Sequence, residues 1–321
     1  METSIMKNRR VLVTGSSGAI GGALKDIAAH EYPDCSFSFA RLSDCDLTDQ
    51  EATHAFIAEQ APDAIIHLAA RAGGVRLNAN HPATLLRDNL YISVNVLEAA
   101  RKNNVQKTVM ALSSGIYPPF APRPFKEEDL HAGYPDESNY GYAFAKRIVD
   151  PLIRAYRSEY DMNVIGLLPN NTIGEHSSFR EDDSGVVPAL IRRFYENRVG
   201  TEPIQVWGNG TAFREISYAK DIARIFMWSL DNYNDNQVLN IGTSEQISIE
   251  DIAQTIAATF NISSERIQFT REGPDAPLRK ETSMEKMRSL YPYVFTPART
   301  AITSVAHFFA EKHSVPGALR L

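Results

Sequence analysis

Arg10-Val11-Leu12-Val13-Thr14-Gly15-Ser16-Ser17-Gly18-Ala19-Ile20-Gly21 joins a short apolar run to a Gly-rich turn near the start of the 321-residue chain. The run has the length of a buried strand, and an amphipathic helical pattern continues from the turn to about His30. Glycines at 15, 18 and 21 therefore sit between a strand and a helix, the context that a dinucleotide-binding turn requires. Glycine lets the backbone approach a pyrophosphate, and the helix N-terminus adds free N–H groups and a positive dipole end. Gly15, Ser17, Gly18, Ala19 and Ile20 are the residues of that turn expected to meet the ligand. The same glycines would also serve a turn kept only for tight strand–helix packing.

Outward from this unit, Ser36–Ala40, Ala64–Leu68, Thr108–Leu112 and Val164–Leu168 are further apolar strands. Helical patterns lie between them, clearest over Leu86–Asn103. Near-continuous apolar strands alternating with helices predict an α/β fold, a Rossmann-type doubly wound parallel sheet covered on both faces. Past Pro169 the pattern changes. Asn170–Ser184 is polar and Gly-bearing and is expected to be a loop near a site. Val186–Arg198 is helical, Thr201–Gly210 holds one strand, and Ser217–Leu230 with Val238–Ile241 return to the sheet. Ser248–Phe260 and Thr300–Lys312 are late helices. The expected division is a nucleotide domain of residues 1–169 plus about 217–241, and a smaller C-terminal lobe of residues 170–216 and 242–321.

The bulk composition narrows the function classes. A 43% hydrophobic and 22% charged chain is that of an ordinary soluble protein. A formal charge of −6 with no basic block speaks against nucleic acid as the main partner. Cys35 and Cys45 have no metal-ligand spacing, so a reduced cytoplasmic protein without a structural metal is expected. No apolar stretch reaches the roughly 18–20 residues of a membrane span, and no secretory leader is evident.

Tyr142-Ala-Phe-Ala-Lys146 carries the chemistry. A Tyr and a Lys four apart share one helix face. An ammonium beside a phenol favours phenolate and is expected to lower the Tyr pKa toward working pH, making a proton donor for a carbonyl oxygen. Ser113 ends the fourth strand, where a parallel sheet places its ligands, and its hydroxyl suits the substrate carbonyl. Each alone would pass for a turn residue or a surface pair. Together with the Gly turn they point to a ketoreductase. Arg41 follows the second strand, where a carboxylate would bind the ribose hydroxyls of NAD; an Arg suits the extra phosphate of NADP, or is simply solvated. Asp46-Leu47 suits an adenine contact or a helix cap.

These residues bring the chain to a family. It resembles the extended short-chain dehydrogenase/reductases, and within them the GDP-L-fucose synthases. The likeness rests on Ile66-His67-Leu68-Ala69-Ala70, Arg71-Ala72-Gly73-Gly74, the Ser113–Tyr142–Lys146 triad and Pro169-Asn170-Asn171. It continues through Gly174-Glu175-His176, Val206-Trp207-Gly208-Asn209-Gly210 and Phe213-Arg214-Glu215. The resemblance implies NADPH as cofactor, with Leu68, Ala69, Ala70, Lys146, Pro169 and Asn171 beside it. It implies a GDP-linked sugar among Ser114, Asn171, Arg193, Trp207, Arg214 and Lys280, and a homodimer paired through the helices of Leu86–Asn103 and Tyr142–Tyr160. Arg and Lys suit a pyrophosphate, and an aromatic suits a base or sugar face.

One departure stands out. The family's epimerisation uses a Cys two residues after the triad Ser and a His ahead of the Val-x-Pro helix; Gly115 and Gly185 occupy those positions here. Moving a proton beside a ketone needs a base and an acid with suitable pKa values, and glycine offers neither. The flanking Ser114 and Ser184 hydroxyls titrate too high to act unaided, and His176 is expected to be a structural loop residue. The expectation is therefore a C4 reductase of a GDP-4-keto-6-deoxy sugar, hexose or heptose, that does not epimerise. A bifunctional GDP-L-fucose synthase with relocated groups is the alternative, and a non-catalytic NADP-binding protein a further one. A 4,6-dehydratase would need carboxylates where Ser114-Gly115-Ile116 stands.

Overall fold

The computed structural model describes residues 8–180, 184–270 and 280–321. The N-terminal half alternates strand and helix: β1 (Arg10–Thr14), α1 (Ala19–Glu31), β2 (Ser36–Ala40), α2 (Gln50–Gln60) and β3 (Ala64–His67), then α3 (Val75–Asn80), α4 (Pro82–Lys102), β4 (Lys107–Ala111), α5 (Tyr140–Tyr160) and β5 (Val164–Pro169). The C-terminal part adds β6 (Asn171–Ile173), α6 (Val186–Glu196), β7 (Ile204–Trp207), β8 (Phe213–Tyr218), α7 (Ala219–Asn232) and β9 (Leu239–Ile241). It ends with β10 (Gln246–Ser248), α8 (Ile249–Thr259), β11 (Ile267–Thr270), α9 (Glu285–Leu290) and α10 (Ala298–Lys312).

The central sheet runs β2-β1-β3-β4-β5-β9, every pair parallel. Its strands alternate faces. Val11, Val13, Ile66, Val109 and Ile165 pack under α1 and α7, whereas Leu12 and Ile65 pack under α2 and α4. Met110, Leu112 and Leu168 meet Val149 and Ile153 of α5 on that second face. Both faces are covered, which is why β1, β3, β4 and β5 read as near-continuous apolar runs, whereas β2, at the sheet edge, alternates Ser and Phe. The strand order reverses at β1, whose two neighbours are reached by crossovers on opposite faces. In such sheets the ligand crevice lies at that point, at the carboxyl ends of β1 and β3.

A second core gathers α6, α8 and α10 around Phe179, Phe194, Ile252 and Phe309. It includes the small sheet β10-β8-β6 and the pair β11-β7. The stretch expected to be loop after Pro169 thus holds a strand, β6, which forms because β8 lies alongside it; residues 181–183 of that stretch lie outside the described residues. The return to the central sheet is made by β9, while α7 lies on its face against α1.

Asn170 links the two parts. Its amide donates to the Thr243 carbonyl oxygen at 2.8 Å, and its own Oδ1 accepts from Ser217 Oγ at 2.6 Å. Beside it, buried Glu215 accepts the Thr282 N–H at 3.0 Å. Burial pushes the Glu215 carboxyl up to about 7. These residues of the family-like motifs therefore hold strands together, leaving their neighbours Asn171 and Arg214 to face the cleft described below. No helix among the described residues is long and apolar enough to cross a membrane.

Candidate active site

Gly15 leaves β1 with φ +72°, and a Cβ built there would lie 2.6 Å from the Ala69 nitrogen. The turn and the Leu68–Ala69 stretch just after β3 are thus packed backbone to backbone, which only glycine allows. Gly18 then starts α1 without a side-chain cap, so no capping side chain takes the first-turn N–H groups. A Cβ on Gly21 would lie 2.6 Å from the Gly15 carbonyl oxygen, so this glycine serves helix–strand packing. An uncapped helix end behind a turn of bare backbone fits a dinucleotide pyrophosphate, with Ser17, Gly18, Ala19 and Ile20 at its rim. Ala70 is exposed just beyond Ala69, and Pro169 ends β5 on the same side of the sheet.

Ser16 donates from N and Oγ to the Ala40 carbonyl oxygen, at 3.1 and 3.0 Å, which ties the turn to the end of β2. Arg41 follows at once, exposed, with a loose ion pair to Asp44 at 3.7 Å. Asp46 accepts from Thr48 N and Oγ1 at 3.0 and 2.8 Å, forming an Asx turn; the cap of α2 is Asp49, whose carboxylate takes the Ala52 N–H. Leu47 is buried beneath that turn. Loss of a charge-assisted bond costs about 1.5–3 kcal/mol, so Arg41→Ala is expected to raise KM for NADPH roughly 10- to 100-fold and to leave KM for NADH unchanged. An unchanged NADPH-to-NADH preference in steady-state kinetics would remove Arg41 from the cofactor site.

Ser113, Tyr142 and Lys146 converge at the carboxyl end of β4. Ser113 caps the short turn Ser114–Ile116, accepting the Gly115 N–H at 3.1 Å, and its side chain also hydrogen-bonds Tyr142. Lys146, 2% exposed, donates to the Ala111 carbonyl oxygen at 2.9 Å. Burial lowers its pKa to about 8. The expected lowering of the Tyr142 pKa is corrected here: burial raises it, and the Ser113 bond offsets only part. Desolvation of a phenolate outweighs one hydrogen bond, so Tyr142 stands as a protonated donor. His67, buried at the end of β3, hydrogen-bonds Thr14 Oγ1 through Nδ1 at 2.8 Å. Burial, and then the Lys146 charge, hold it at about 3, so it is neutral.

An open cleft with about 270 Å³ of space lies between the two cores. Asn171, Gly185, Pro188 and Arg214 line it together with Ala19 at the start of α1. A narrower recess holds Ser114, Arg123, Asp136 and Lys280. Burial lowers the Lys280 pKa; Asp136 opposes this, and the Arg214 and Arg123 charges add to it. Arg193 donates to the Gln205 carbonyl oxygen at 2.8 Å and lies over the exposed Trp207 ring, 5.1 Å from its centroid. Sequence reasoning missed Arg123, Asp136 and Arg76, which lies over the same ring. It also missed Asn139, which donates to the Gly115 carbonyl oxygen at 3.0 Å and steadies the Ser113 turn. These residues sit in short or irregular segments that carry no periodic signal.

Gly115 and Gly185, the two positions singled out by the family resemblance, border this site. A Cβ on Gly115 would lie 3.3 Å from Ser113 Oγ, and one on Gly185 would meet nothing within 4 Å. His176 is turned elsewhere. Its Nε2 pairs with Asp26 Oδ2 at 2.9 Å, and its ring fills the space where Gly22 of α1 lacks a side chain.

Residues 11–242, which include the Gly turn and the Ser113–Tyr142–Lys146 group, match the NAD dependent epimerase/dehydratase family, and the chain belongs to that family. Within it, the chain is 35% identical over 315 residues to the GDP-L-fucose synthase of Dictyostelium discoideum, covering 97% of this chain and 98% of that one. The crystal structure of a GDP-L-fucose synthetase from Naegleria fowleri bound to NADP superposes with a TM-score of 0.91 at 29% identity, over 99% of this chain and 98% of that one. A GDP-6-OMe-4-keto-L-xylo-heptose reductase from C. jejuni shares the fold, with a TM-score of 0.85 at 23% identity over 96% and 99% of the two chains.

Proposed function

We propose that this chain is an NADPH-dependent reductase of the C4 ketone of a GDP-4-keto-6-deoxy sugar, hexose or heptose, and that it leaves C3 and C5 unchanged. The observation that carries the reading is the Ser113–Tyr142–Lys146 group bordered by bare glycines at 115 and 185. NADPH, when bound on the Gly15–Ile20 turn, supplies the hydride for C4. Ser113 Oγ holds the ketone oxygen, and Tyr142 gives that oxygen its proton. The Lys146 ammonium stabilises the phenolate left behind and, through its bond to Ala111, keeps its place on the helix face. Arg193, Arg214 and Lys280 supply positive charge for the diphosphate, and Trp207 an aromatic face for base or sugar.

Epimerisation would need a second acid/base pair, and its two family positions carry no side chain. The pairing of His176 with Asp26 gives that imidazole a structural task instead. The named relatives favour a second reading, a GDP-L-fucose synthase that epimerises C3 and C5 before it reduces C4. The two part in deuterated water. Enzyme incubated with GDP-4-keto-6-deoxy-mannose and no NADPH is expected to leave C3 and C5 free of deuterium by NMR; incorporation there would install the bifunctional reading.

The same reading makes the enzyme a cytoplasmic homodimer with no nucleic-acid or membrane partner. Support for pairing comes from the packed α4–α5 face, where Tyr91, Val94 and Ile148 remain exposed.

A further inference from the structure

Glu215, 3% exposed in the middle of β8, stands where three segments of the chain meet. Its Oε1 accepts the Thr282 N–H at 3.0 Å, and its Oε2 accepts from Asn170 Nδ2 at 3.4 Å. An apolar residue would join strands at less cost in free energy than a buried carboxyl. What the carboxyl adds is two acceptors, one for each neighbouring segment. Each segment carries a residue of the candidate substrate site. Asn171 follows Asn170, Arg214 precedes Glu215, and both line the open cleft. Lys280, just ahead of Thr282, lines the narrow recess with Ser114.

Lys280 depends on this joint more than the other two do. Asn171 and Arg214 lie on paired strands. The stretch from Glu281 to Ser283 has a single bridge, to Phe125: Phe125 N donates to the Glu281 carbonyl oxygen and Ser283 N to that of Phe125, both at 2.8 Å. Thr282 N bonds Glu215 instead, so the stretch is gripped from two sides. A third hold is the Gln246 amide, opposite Glu215 on β10, which donates to the Lys280 carbonyl oxygen at 3.4 Å. Among the described residues no acceptor meets Lys280 Nζ, and Asp136 in the same recess takes Ser138 N and Oγ. The ammonium is therefore placed by its backbone, near enough to Arg214 to feel that charge.

We infer that Glu215 is a positioning residue for substrate binding: through Thr282 it sets Lys280 in the recess beside Ser114, on the joint that also carries Arg214, so that a diphosphate meets both cations in one arrangement. This rests on the function proposed above, which gives those two cations to the diphosphate. Glu215 itself touches no ligand and acts only through the segments it ties.

A double-mutant cycle read by calorimetric titration of GDP tests this, at a pH above the Glu215 value of about 7 so that both oxygens accept. Glu215→Gln must turn its NH2 toward Thr282 N or Asn170 Nδ2, both donors, and so loses one bond. It is expected to raise the GDP dissociation constant about five- to tenfold, and Lys280→Met about tenfold or more. The double variant should match Lys280→Met within about twofold, because Glu215 then has no ammonium to place. The dissociation constant for NADPH should stay within about twofold throughout, which a merely loosened fold would not allow. Should Glu215→Gln not fold, Glu215→Asp, one methylene short of Thr282, enters the same cycle. In steady-state kinetics Glu215→Gln should raise KM for the keto sugar more than it lowers kcat. GDP affinity unchanged by either single variant, equal losses for GDP and NADPH, or additive losses in the double variant would overturn the inference alone. A parent protein that binds GDP but does not oxidise NADPH with the keto sugar would overturn the proposed reaction, and the cycle would still decide the role of Glu215. A parent that binds no GDP would overturn both.

Discussion

Replacing Tyr142 with Phe is expected to lower kcat for ketone reduction about a thousandfold, within the 10²–10⁴ range of a positioned general acid. KM for NADPH and for the sugar nucleotide should change only a fewfold. Phe keeps the ring and its packing on α5 and removes the hydroxyl, its bond to Ser113, and the proton that the ketone oxygen needs. The hydride can still be presented to C4, but the alkoxide that forms has no donor. A variant retaining a tenth of parental kcat, followed by NADPH absorbance, would mean that another group supplies the proton.

The pH profile follows from the same geometry. Tyr142 must be protonated to act, and burial keeps it so. Lys146 is charged below about 8 and neutral above it. The reduction rate is therefore expected to be level at lower pH and to fall as pH rises through about 8, when the ammonium that stabilises the phenolate is lost. Stability moves the opposite way. The folded pKa of Lys146, about 8, lies below its ordinary 10.5, so between these values the unfolded chain binds more protons and this residue's contribution to stability rises with pH. A loss of rate above pH 8 accompanied by a rise in Tm assigns the titration to Lys146 rather than to unfolding.

That electrostatic detail was not legible in the amino-acid order. The i, i+4 spacing of Tyr142 and Lys146 set them on one helix face, but the sign of the Tyr142 shift depends on burial by residues far away in the chain. Local pattern was enough for β1, β3, β4 and β5, because strands covered on both faces are apolar at nearly all their central positions. It failed for β6, β10 and β11. These are three- and four-residue strands whose pairing partners, β8 and β7, create them. Polar Asn171-Thr172 reads as loop until β8 supplies the neighbouring hydrogen bonds. The candidate site divides the same way. The Gly turn and the triad announce themselves by spacing, whereas Asn139 matters through what the tertiary fold sets beside it, the Gly115 carbonyl. Asn170 and Glu215 look like site residues by neighbourhood and prove to be joints between strands.

Gly15→Ala is expected to destabilise the fold by about 2–4 kcal/mol and to weaken NADPH binding roughly a hundredfold or more. Two costs combine. At φ +72° an L side chain meets its own following carbonyl, a penalty of about 1–2 kcal/mol. The added Cβ also lies 2.6 Å from Ala69 N and 2.7 Å from Ala69 Cα and the Leu68 carbonyl carbon. Those are backbone atoms at the end of a central strand, so no rotamer change relieves the overlap. Either β3 shifts or the turn lifts off it, and a lifted turn no longer offers its N–H groups to a pyrophosphate. Gly18→Ala provides the contrast. Its φ is −82° and its nearest neighbour, the Gly15 carbonyl oxygen, would be 3.4 Å away, so its cost in stability should stay below about 1 kcal/mol. Denaturant unfolding of the two variants separates them. If Gly15→Ala unfolds at the same midpoint as Gly18→Ala, the contact between the turn and β3 is not what holds the switch-point crevice in shape, and the cofactor site must be anchored through the Ser16–Ala40 bonds at β2 instead.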